Sequence, residues 1–191
     1  MSRKRVAVLI SGRGSNLKAL LDAEQDAYDI ALVVSNRPDA GGLAIARKAG
    51  VEALTLDHTP YGKDREAFER DLNILLVQRN IEIVALAGFM RVLTPYFVRA
   101  WSGRLVNIHP SLLPKFPGTK THERALAAGE SEHGCSVHLV VEEVDAGEII
   151  GQARLPILTG DTVETLAARV LVLEHRLYPE CLAHLARSFQ R

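Results

Sequence analysis

The stretch RVAVLISGRGSNLKALLDAEQDAYDIALVVS, residues 5–35, contains two short apolar runs separated by a glycine-rich turn and a helical pattern. RVAVLI (5–10) and IALVVS (30–35) are apolar at successive positions, which is typical of strands buried on both faces of a sheet. NLKALLDAEQDA (16–27) has the apolar spacing of a helix. A strand, a helix and a second buried strand in this order predict a βαβ unit and therefore a parallel sheet.

The same alternation continues through the first half of the chain. Further strands are predicted at EALTL (52–56), IEIVALA (81–87) and RLVNIH (104–109), and further helices at 41–50, 63–80 and 94–101. The second half differs, because a short helix (123–130) is followed by two long strands within 134–157, joined by a turn at VDAGE. The sequence thus predicts an α/β fold: a doubly wound, mostly parallel sheet with an antiparallel hairpin in the C-terminal half.

A final helix is predicted from Asp161 to about Ser188. Asp161 and Glu164 have the spacing of a capping box, and Pro179 is expected to kink this helix or divide it in two. Without repeats or a linker, residues 1–191 are predicted to form one domain with two lobes, 1–104 and 105–191.

Composition argues against several classes of protein. Basic and acidic side chains balance at 23 each, whereas a protein that mainly binds nucleic acid normally has a basic excess. The apolar run Val6–Ile10 is too short for a signal peptide, and no segment is long enough to span a membrane. Cys135 and Cys181 have no metal-site or disulfide spacing. We therefore predict a cytoplasmic protein without a metal.

The turn after the first strand contains Gly12, Gly14, Ser15 and Asn16, a composition that allows close backbone approach to an anion at a helix start. A dinucleotide fingerprint is excluded because Leu17 stands where a third glycine is required, and no Walker A lysine follows. An ordinary turn capped by Ser or Asn is the alternative. The position at the carboxyl end of a parallel strand favours a phosphate cradle for a mononucleotide-sized ligand.

Asn107 and His109 are the candidate catalytic pair. Side chains alternate along a strand, so both point to one face, and Pro110 ends the strand directly after them. An amide N–H and a protonated imidazole can both donate to a developing oxyanion. Such an imidazole requires a nearby acid to hold it charged, and the residues alone leave four candidates in the hairpin turn open: Glu142, Glu143, Asp145 and Glu148. His138 is placed near this site but is given no role.

Four segments resemble one known family. SGRGSN (11–16), LAGFMRVL (86–93), NIHPSLLPKFPG (107–118) and DAGEII (145–150) are similar to the phosphoribosylglycinamide formyltransferase family of folate-dependent formyltransferases. The resemblance extends over effectively the whole chain. It implies a Rossmann-like formyltransferase fold and transfer of a formyl group from 10-formyltetrahydrofolate to the amine of N1-(5-phosphoribosyl)glycinamide, in de novo purine (IMP) biosynthesis, with small molecules as the only partners.

The resemblance also assigns residues. It implies that 1–104 is a phosphate-binding lobe and that 105–191 is a catalytic and folate-binding lobe that includes the last helix. The implied catalytic residues are Asn107, His109 and Asp145. The implied ribonucleotide-binding residues are Gly12, Gly14, Ser15, Asn16 and Glu174. The implied folate-binding residues are Arg65, Met90, Arg91, Val92, Leu93 and Asn107. Lys120 departs from the histidine of many relatives and is left unassigned, and Phe89 and Met90 have the alternative of being core.

Three other functions stay open at this point. A methionyl-tRNA formyltransferase is expected to add a carboxy-terminal domain and a basic surface. A 10-formyltetrahydrofolate hydrolase is expected to add an amino-terminal regulatory domain, whereas this sequence starts at the first strand. A non-catalytic nucleotide-binding module would not require Asn107, His109 and Asp145 together. The oligomeric state is predicted only as monomer or homodimer.

Overall fold

A computed structural model describes residues 3–23 and 26–189, which form a seven-stranded sheet flanked by helices. The strands are β1 (Lys4–Ile10), β2 (Tyr28–Ser35), β3 (Glu52–Thr55), β4 (Ile83–Leu86), β5 (Leu105–His109), β6 (Glu132–Leu139) and β7 (Ile149–Pro156). The helices are α1 (Ser15–Asp22), α2 (Gly42–Lys48), α3 (Arg65–Gln78), α4 (Pro95–Ala100), α5 (Thr121–Ala127) and α6 (Val163–Ser188), with a 3₁₀ turn at Thr59–Tyr61.

The sheet order is β3-β2-β1-β4-β5-β6-β7. Strands β1 to β5 pair in parallel, and β6 and β7 pair antiparallel, so the predicted α/β fold with its C-terminal hairpin is confirmed. The chain order reverses between β1 and β4, and in doubly wound sheets a ligand crevice forms outside the carboxyl ends of the strands at such a point. The glycine turn after β1 and the end of β5 both lie at this edge.

The two faces of the sheet form separate apolar cores because the central strands are buried on both sides. Val6, Val8 and Ile10 of β1 contribute to the core under α1, α2 and α6. Ala7 and Leu9 contribute to the opposite core with residues of α3 and α4. Complete burial of a Val, Leu or Ile side chain contributes roughly 1.5–3 kcal/mol, so this alternation fixes which face each strand residue occupies.

The final helix differs from the prediction at its start and at its proline. The capping box is formed by Thr162 and Thr165, not by Asp161 and Glu164. The Asp161 carboxylate instead accepts from the Leu158 amide at 2.8 Å and pairs with a downstream arginine. The helix is undivided by Pro179, which is buried within its 26 residues. A proline costs ~3 kcal/mol in a helix interior, which tertiary packing of a long amphipathic helix can offset.

The first helix is shorter than predicted, ending at Asp22 rather than at residue 27, while residues 24 and 25 of the prediction lie outside the described part. Its start has Gly14 at the N-cap position in the left-handed region (φ 80°), without a side-chain cap. Across residues 3–23 and 26–189, no helix has the length and apolar character to cross a bilayer.

Candidate active site

The end of β5 and the neighbouring strand β6 bring four polar side chains together. Asn107 lies opposite His138 in the antiparallel ladder, and His109 lies opposite Ser136, so all four share one face. Asp145 reaches this group from the β6–β7 connection, with its Oδ2 3.4 Å from His109 Nδ1. The structure thus brings the predicted Asn107, His109 and Asp145 together in one cluster, and His138 lies beside them.

Both ring nitrogens of His109 face acceptors. Nε2 lies 3.0 Å from the Phe116 carbonyl oxygen, and Nδ1 faces Asp145, whose side chain is only 9% exposed. Two acceptors favour the doubly protonated ring, but burial lowers the His109 pKa and outweighs the raising influence of the Phe116 carbonyl and Asp145. The sequence predicted that a nearby acid holds this imidazole charged. Asp145 does raise the pKa of His109, as predicted, but the net pKa in the ligand-free site is lowered, so that part of the prediction is wrong.

Asp145 is the one acid of the four candidates in the turn that meets the imidazole. Glu142, Glu143 and Glu148 are exposed, and Glu142 pairs with Arg99 on the surface. The Asp145 backbone adopts the left-handed region (φ 55°), which Asp tolerates better than most residues. Gly147 lets the connection fold back on β6, since an added Cβ would lie 1.8 Å from the Leu139 carbonyl oxygen.

Two contacts hold the Asp145 carboxylate ionised. Oδ2 accepts a hydrogen bond from the Gly118 amide at 2.8 Å, and Oδ1 lies 3.5 Å from His138 Nε2. Burial alone raises the pKa of Asp145, but these hydrogen bonds and the neighbouring imidazoles outweigh burial and lower it. The site therefore contains a carboxylate that remains negative well into the acidic range.

His138 is the residue of the cluster that the sequence left without a role. Its Nδ1 lies 2.9 Å from the Leu139 carbonyl oxygen, so that nitrogen carries a proton, and its Nε2 faces Asp145 Oδ1 on one side and the Asn107 amide on the other. Asn107 Nδ2 lies 3.3 Å from that Nε2. The Asn107 side chain is thereby held beside His138, and it also lines the neighbouring apolar cavity, where its amide can donate to a ligand. The alternation of side chains along β6 could have indicated a role for His138 in the site, because it puts His138 on the same face as Ser136.

A cavity of about 530 Å³ lies against the glycine turn. Gly14 allows the turn to pack on the start of α2, because an added Cβ would lie 2.6 Å from the Gly42 Cα. Neither Ser15 nor Asn16 caps α1, so within the described part of the chain the first amides of this helix have no side-chain acceptor, unlike those of an ordinary capped turn. Gly12, Gly14, Ser15 and Asn16 all line this cavity.

Asn16 is joined to Glu174 of α6, which the resemblance also assigned to the ribonucleotide. Asn16 Nδ2 donates to Glu174 Oε2 at 2.6 Å, while Asn16 Oδ1 is buried without a hydrogen-bond partner in the described residues. Glu174 is 8% exposed, and burial raises its pKa despite the opposing hydrogen bond from Asn16. A polar ligand that reaches this pair would satisfy an orphan acceptor.

A second, more apolar cavity of about 310 Å³ adjoins the first. Its lining includes the predicted Met90, Arg91, Val92, Leu93 and Asn107, together with His138 and Asp145. Met90 is 79% exposed and is therefore not a core residue, while Phe89 packs partly on the core. Arg65 does not line the cavity, but its guanidinium donates to the Val92 carbonyl oxygen at 3.2 Å.

The segment 90–94 beside this cavity is held by side chains from distant parts of the chain. The Met90 amide donates to Ser11 Oγ at 2.8 Å, and Ser11 Oγ donates to Asn36 Oδ1 at 2.6 Å. At the other end, the buried Glu69 accepts from the Thr94 amide at 2.9 Å and from the Thr94 hydroxyl. These anchors were missed by the sequence analysis, because their partners lie 25 or more positions away.

The chain that forms this sheet, polar cluster and pair of cavities matches a known family and several solved structures. The family model described as Formyl transferase matches residues 4–182. Glycinamide ribonucleotide transformylase 1 from Symbiobacterium toebii superposes with a TM-score of 0.93 at 45% identity, covering 97% of this chain and 89% of that one. The chain belongs to the formyl transferase family.

Curated relatives define the branch of this family. The phosphoribosylglycinamide formyltransferase of Escherichia coli (strain K12) is 46% identical over 95% of this chain and 86% of its own length. The trifunctional purine biosynthetic protein adenosine-3 of Drosophila pseudoobscura pseudoobscura is 51% identical over 99% of this chain, which spans only 14% of that longer protein. The resemblance to the phosphoribosylglycinamide formyltransferase family is confirmed.

Proposed function

We propose that this protein transfers the formyl group of 10-formyltetrahydrofolate to the primary amine of N1-(5-phosphoribosyl)glycinamide, a step of de novo purine (IMP) biosynthesis. One observation carries the proposal. The cavity at the glycine turn and the apolar cavity share Met90 and Arg91 in their linings, and the second cavity contains Asn107 and Asp145 at its wall. Group transfer between two substrates requires two adjoining pockets with polar groups close to their junction.

The cavity at the glycine turn suits the ribonucleotide. Uncapped amides at the start of α1 offer N–H groups to its phosphate, supported by the helix dipole. Asn16 Oδ1, which lacks a partner in the described residues, can accept from a ribose hydroxyl, and so can the neighbouring Glu174. The amine would then extend toward Asn107.

The apolar cavity suits the folate. Its exposed apolar edge, formed by Met90 and Val92, offers a surface for a flat ring system that is otherwise open to solvent. Polar edges of that ring can pair with backbone groups of segment 90–93, which its anchors hold in place. Arg65 is exposed at the outer side of this segment, where it can pair with the glutamyl carboxylate of the folate.

The proposed reaction is a direct transfer. The amine nitrogen attacks the formyl carbon and forms a C–N bond, and the carbonyl oxygen becomes an oxyanion. The amide N–H of Asn107 and a protonated His109 donate to that oxyanion. The tetrahedral intermediate then collapses by breaking the bond between the formyl carbon and the folate N10. The proton lost by the attacking amine is delivered to that N10, through water held by Asp145.

His109 must change its partner for this step. In the ligand-free site its Nε2–H is engaged by the Phe116 carbonyl, so either this carbonyl withdraws or the oxyanion replaces it as acceptor. A negative oxyanion within hydrogen-bond distance raises the pKa of the ring, which offsets the lowering by burial. The protonated form required of His109 therefore develops with the charge that it stabilises.

We propose that the reaction takes place in the cytoplasm. Cys135 and Cys181 are both free and buried, and burial raises their pKa values to about 12 and about 11. Inert, unpaired thiols of this kind are typical of a reducing compartment.

One experiment tests the proposal against its alternatives. The loss of 10-formyltetrahydrofolate is followed with glycinamide ribonucleotide, with formylatable methionyl-tRNA, and with neither, and the formylated product is identified by mass spectrometry. We expect loss only with the ribonucleotide, in equal amounts with its N-formyl product. Loss without an acceptor would indicate a hydrolase, loss with the tRNA would indicate a tRNA formyltransferase, and no loss in any arm would indicate a binding module.

A further inference from the structure

Among the residues that the structure describes, four basic side chains and no acidic one line the cavity at the glycine turn. The four basic residues of its wall are Arg13, Arg37, His58 and Arg91. A cavity with this charge concentrates anions, and its field acts on the charge that a ligand carries there. The arginines of this wall extend beyond the glycine turn residues already assigned to the ribonucleotide.

The three arginines differ in their partners. Arg37 is neutralised by Asp39, to which it donates at 3.1 Å and 2.9 Å. The Arg91 guanidinium lies 5.1 Å from the centre of the Phe68 ring and also lines the apolar cavity. Arg13 is exposed and pairs with no carboxylate within residues 3–23 and 26–189. It is therefore the arginine of this wall whose charge has neither a counter-ion nor a stacking partner in the described chain.

The backbone that carries Arg13 is held firmly. The Gly12 carbonyl oxygen accepts from the Gly42 amide at 3.1 Å, and Gly14 packs so closely on Gly42 that a Cβ on Gly14 would lie 2.6 Å from the Gly42 Cα. Arg13 lies between these two contacts, next to the uncapped amides of α1. A cation on a rigid support beside an anion site loses little backbone entropy when it binds.

We propose that Arg13 is a specificity-determining residue that selects the phosphorylated form of the amine substrate by pairing with its 5′-phosphate. The inference rests on the proposed function, since it takes that substrate to bind at the glycine turn. A guanidinium can donate two parallel hydrogen bonds to a phosphate, while the α1 amides hold the remaining oxygens. The riboside, which lacks the phosphate, gains nothing from this pairing.

Steady-state kinetics of the full chain test the inference with two substrates, glycinamide ribonucleotide and the corresponding riboside. Hydrogen bonds to charged groups stabilise by ~1.5–3 kcal/mol, and we take the lower end because Arg13 is exposed. Arg13→Ala should raise KM for the ribonucleotide about tenfold and leave kcat within about twofold. It should leave kcat/KM for the riboside unchanged, and Arg13→Lys should recover part of the loss because it keeps the charge.

Arg47→Ala is the matched control, because it removes the same charge from an exposed side chain of α2 that is not among the residues lining this cavity. It should change KM for the ribonucleotide by about twofold or less. The inference is overturned if Arg13→Ala keeps the wild-type KM, if Arg47→Ala has an equal effect, or if activity on the riboside falls as much as activity on the ribonucleotide. If the wild-type chain formylates neither substrate, the proposed function fails. If the wild-type chain is active and Arg13→Ala has the wild-type KM for the ribonucleotide, only the role of Arg13 is overturned.

Discussion

Replacing Asp145 by asparagine removes the negative charge from the centre of the site and keeps its shape. The Asn carbonyl oxygen can still accept the hydrogen bond that the Gly118 amide makes to Asp145 Oδ2 at 2.8 Å. The lost charge lies 3.4 Å from His109 Nδ1 and 3.5 Å from His138 Nε2. The substitution thus separates the electrostatic role of Asp145 from its structural role.

The size of the effect follows from these distances. Two unit charges ~3.4 Å apart attract by about 5 kcal/mol at an effective dielectric constant of about 20, which is an upper bound because His109 is not fully charged in the free site. Measured hydrogen bonds to charged groups are worth ~1.5–3 kcal/mol. We therefore expect kcat/KM to fall on the order of 100-fold near neutral pH.

The pH dependence has a definite sign. Asp145 raises the pKa of His109 against the larger lowering by burial, so its removal lowers this pKa further. The proposed reaction requires protonated His109, and the fall of kcat/KM at high pH should therefore begin at a lower pH in Asp145→Asn. The folded-state pKa of Asp145 is itself lowered, so the stability it contributes is present above its unfolded pKa and lost as pH falls through the folded value.

The assay is the rate of ribonucleotide formylation by wild type and by folded Asp145→Asn between about pH 5 and 9, a range that extends to lower pH because burial lowers the pKa of His109. The thermal transition is measured in parallel. Glu143→Gln is the matched control, because it neutralises an exposed acid of the same turn, and its rate should remain within about twofold of wild type. If Asp145→Asn keeps more than about a third of the wild-type kcat/KM across this range, the charge of Asp145 has no role in the reaction.

Three further outcomes test other contacts. Tyr178→Phe removes a buried hydroxyl that donates to the Leu86 carbonyl at 2.8 Å, so calorimetry should show a loss of ~1 kcal/mol, or roughly 2–4 °C in Tm; an unchanged Tm would contradict it. Glu69→Gln weakens the hold on Thr94 and should raise KM for the folate about threefold or more without changing KM for the ribonucleotide, whereas equal changes would refute this. Burial raises the pKa of Glu174, so the stability that this residue contributes is present below its unfolded pKa and is lost as pH rises through its folded pKa. Glu174→Gln should therefore stabilise the protein near pH 7 by up to ~1 kcal/mol, and a lower Tm at that pH would contradict this sign.

Local periodicity was sufficient to predict the architecture and the core of the site. The two-residue period of a strand puts Asn107 and His109 on one face, and Pro110 marks the strand end, so no knowledge of distant residues is required. Likewise, apolar runs identify strands such as β1 that are buried on both faces. These features depend on a few consecutive residues.

The rest of the site depends on contacts between distant segments. Asp145 could not be chosen from four acids by spacing, because its selection results from the left-handed backbone at φ 55° and from the Gly118 amide. The net pKa of His109 depends on how the chain after β5 covers the ring, which no local pattern encodes. The anchors Ser11 and Glu69 hold segment 90–94 from 25 or more positions away, and no local sequence pattern indicates these contacts.

The start of the last helix shows a different limit. Asp161 and Thr162 are both good N-cap residues, and each has a polar residue three positions later, so the sequence pattern does not distinguish them. Arg169 binds the Asp161 carboxylate and leaves Thr162 to cap the helix. A contact eight positions away therefore decides which of the two adjacent residues caps the helix.

Phe116 and Gly118 stand two positions apart, and each holds one member of the central pair. The Phe116 carbonyl binds the His109 ring at 3.0 Å, and the Gly118 amide binds the Asp145 carboxylate at 2.8 Å. A displacement of this short segment therefore releases the imidazole and the acid together. The two groups are mechanically coupled through the covalent chain between Phe116 and Gly118, independently of the 3.4 Å contact between their own side chains.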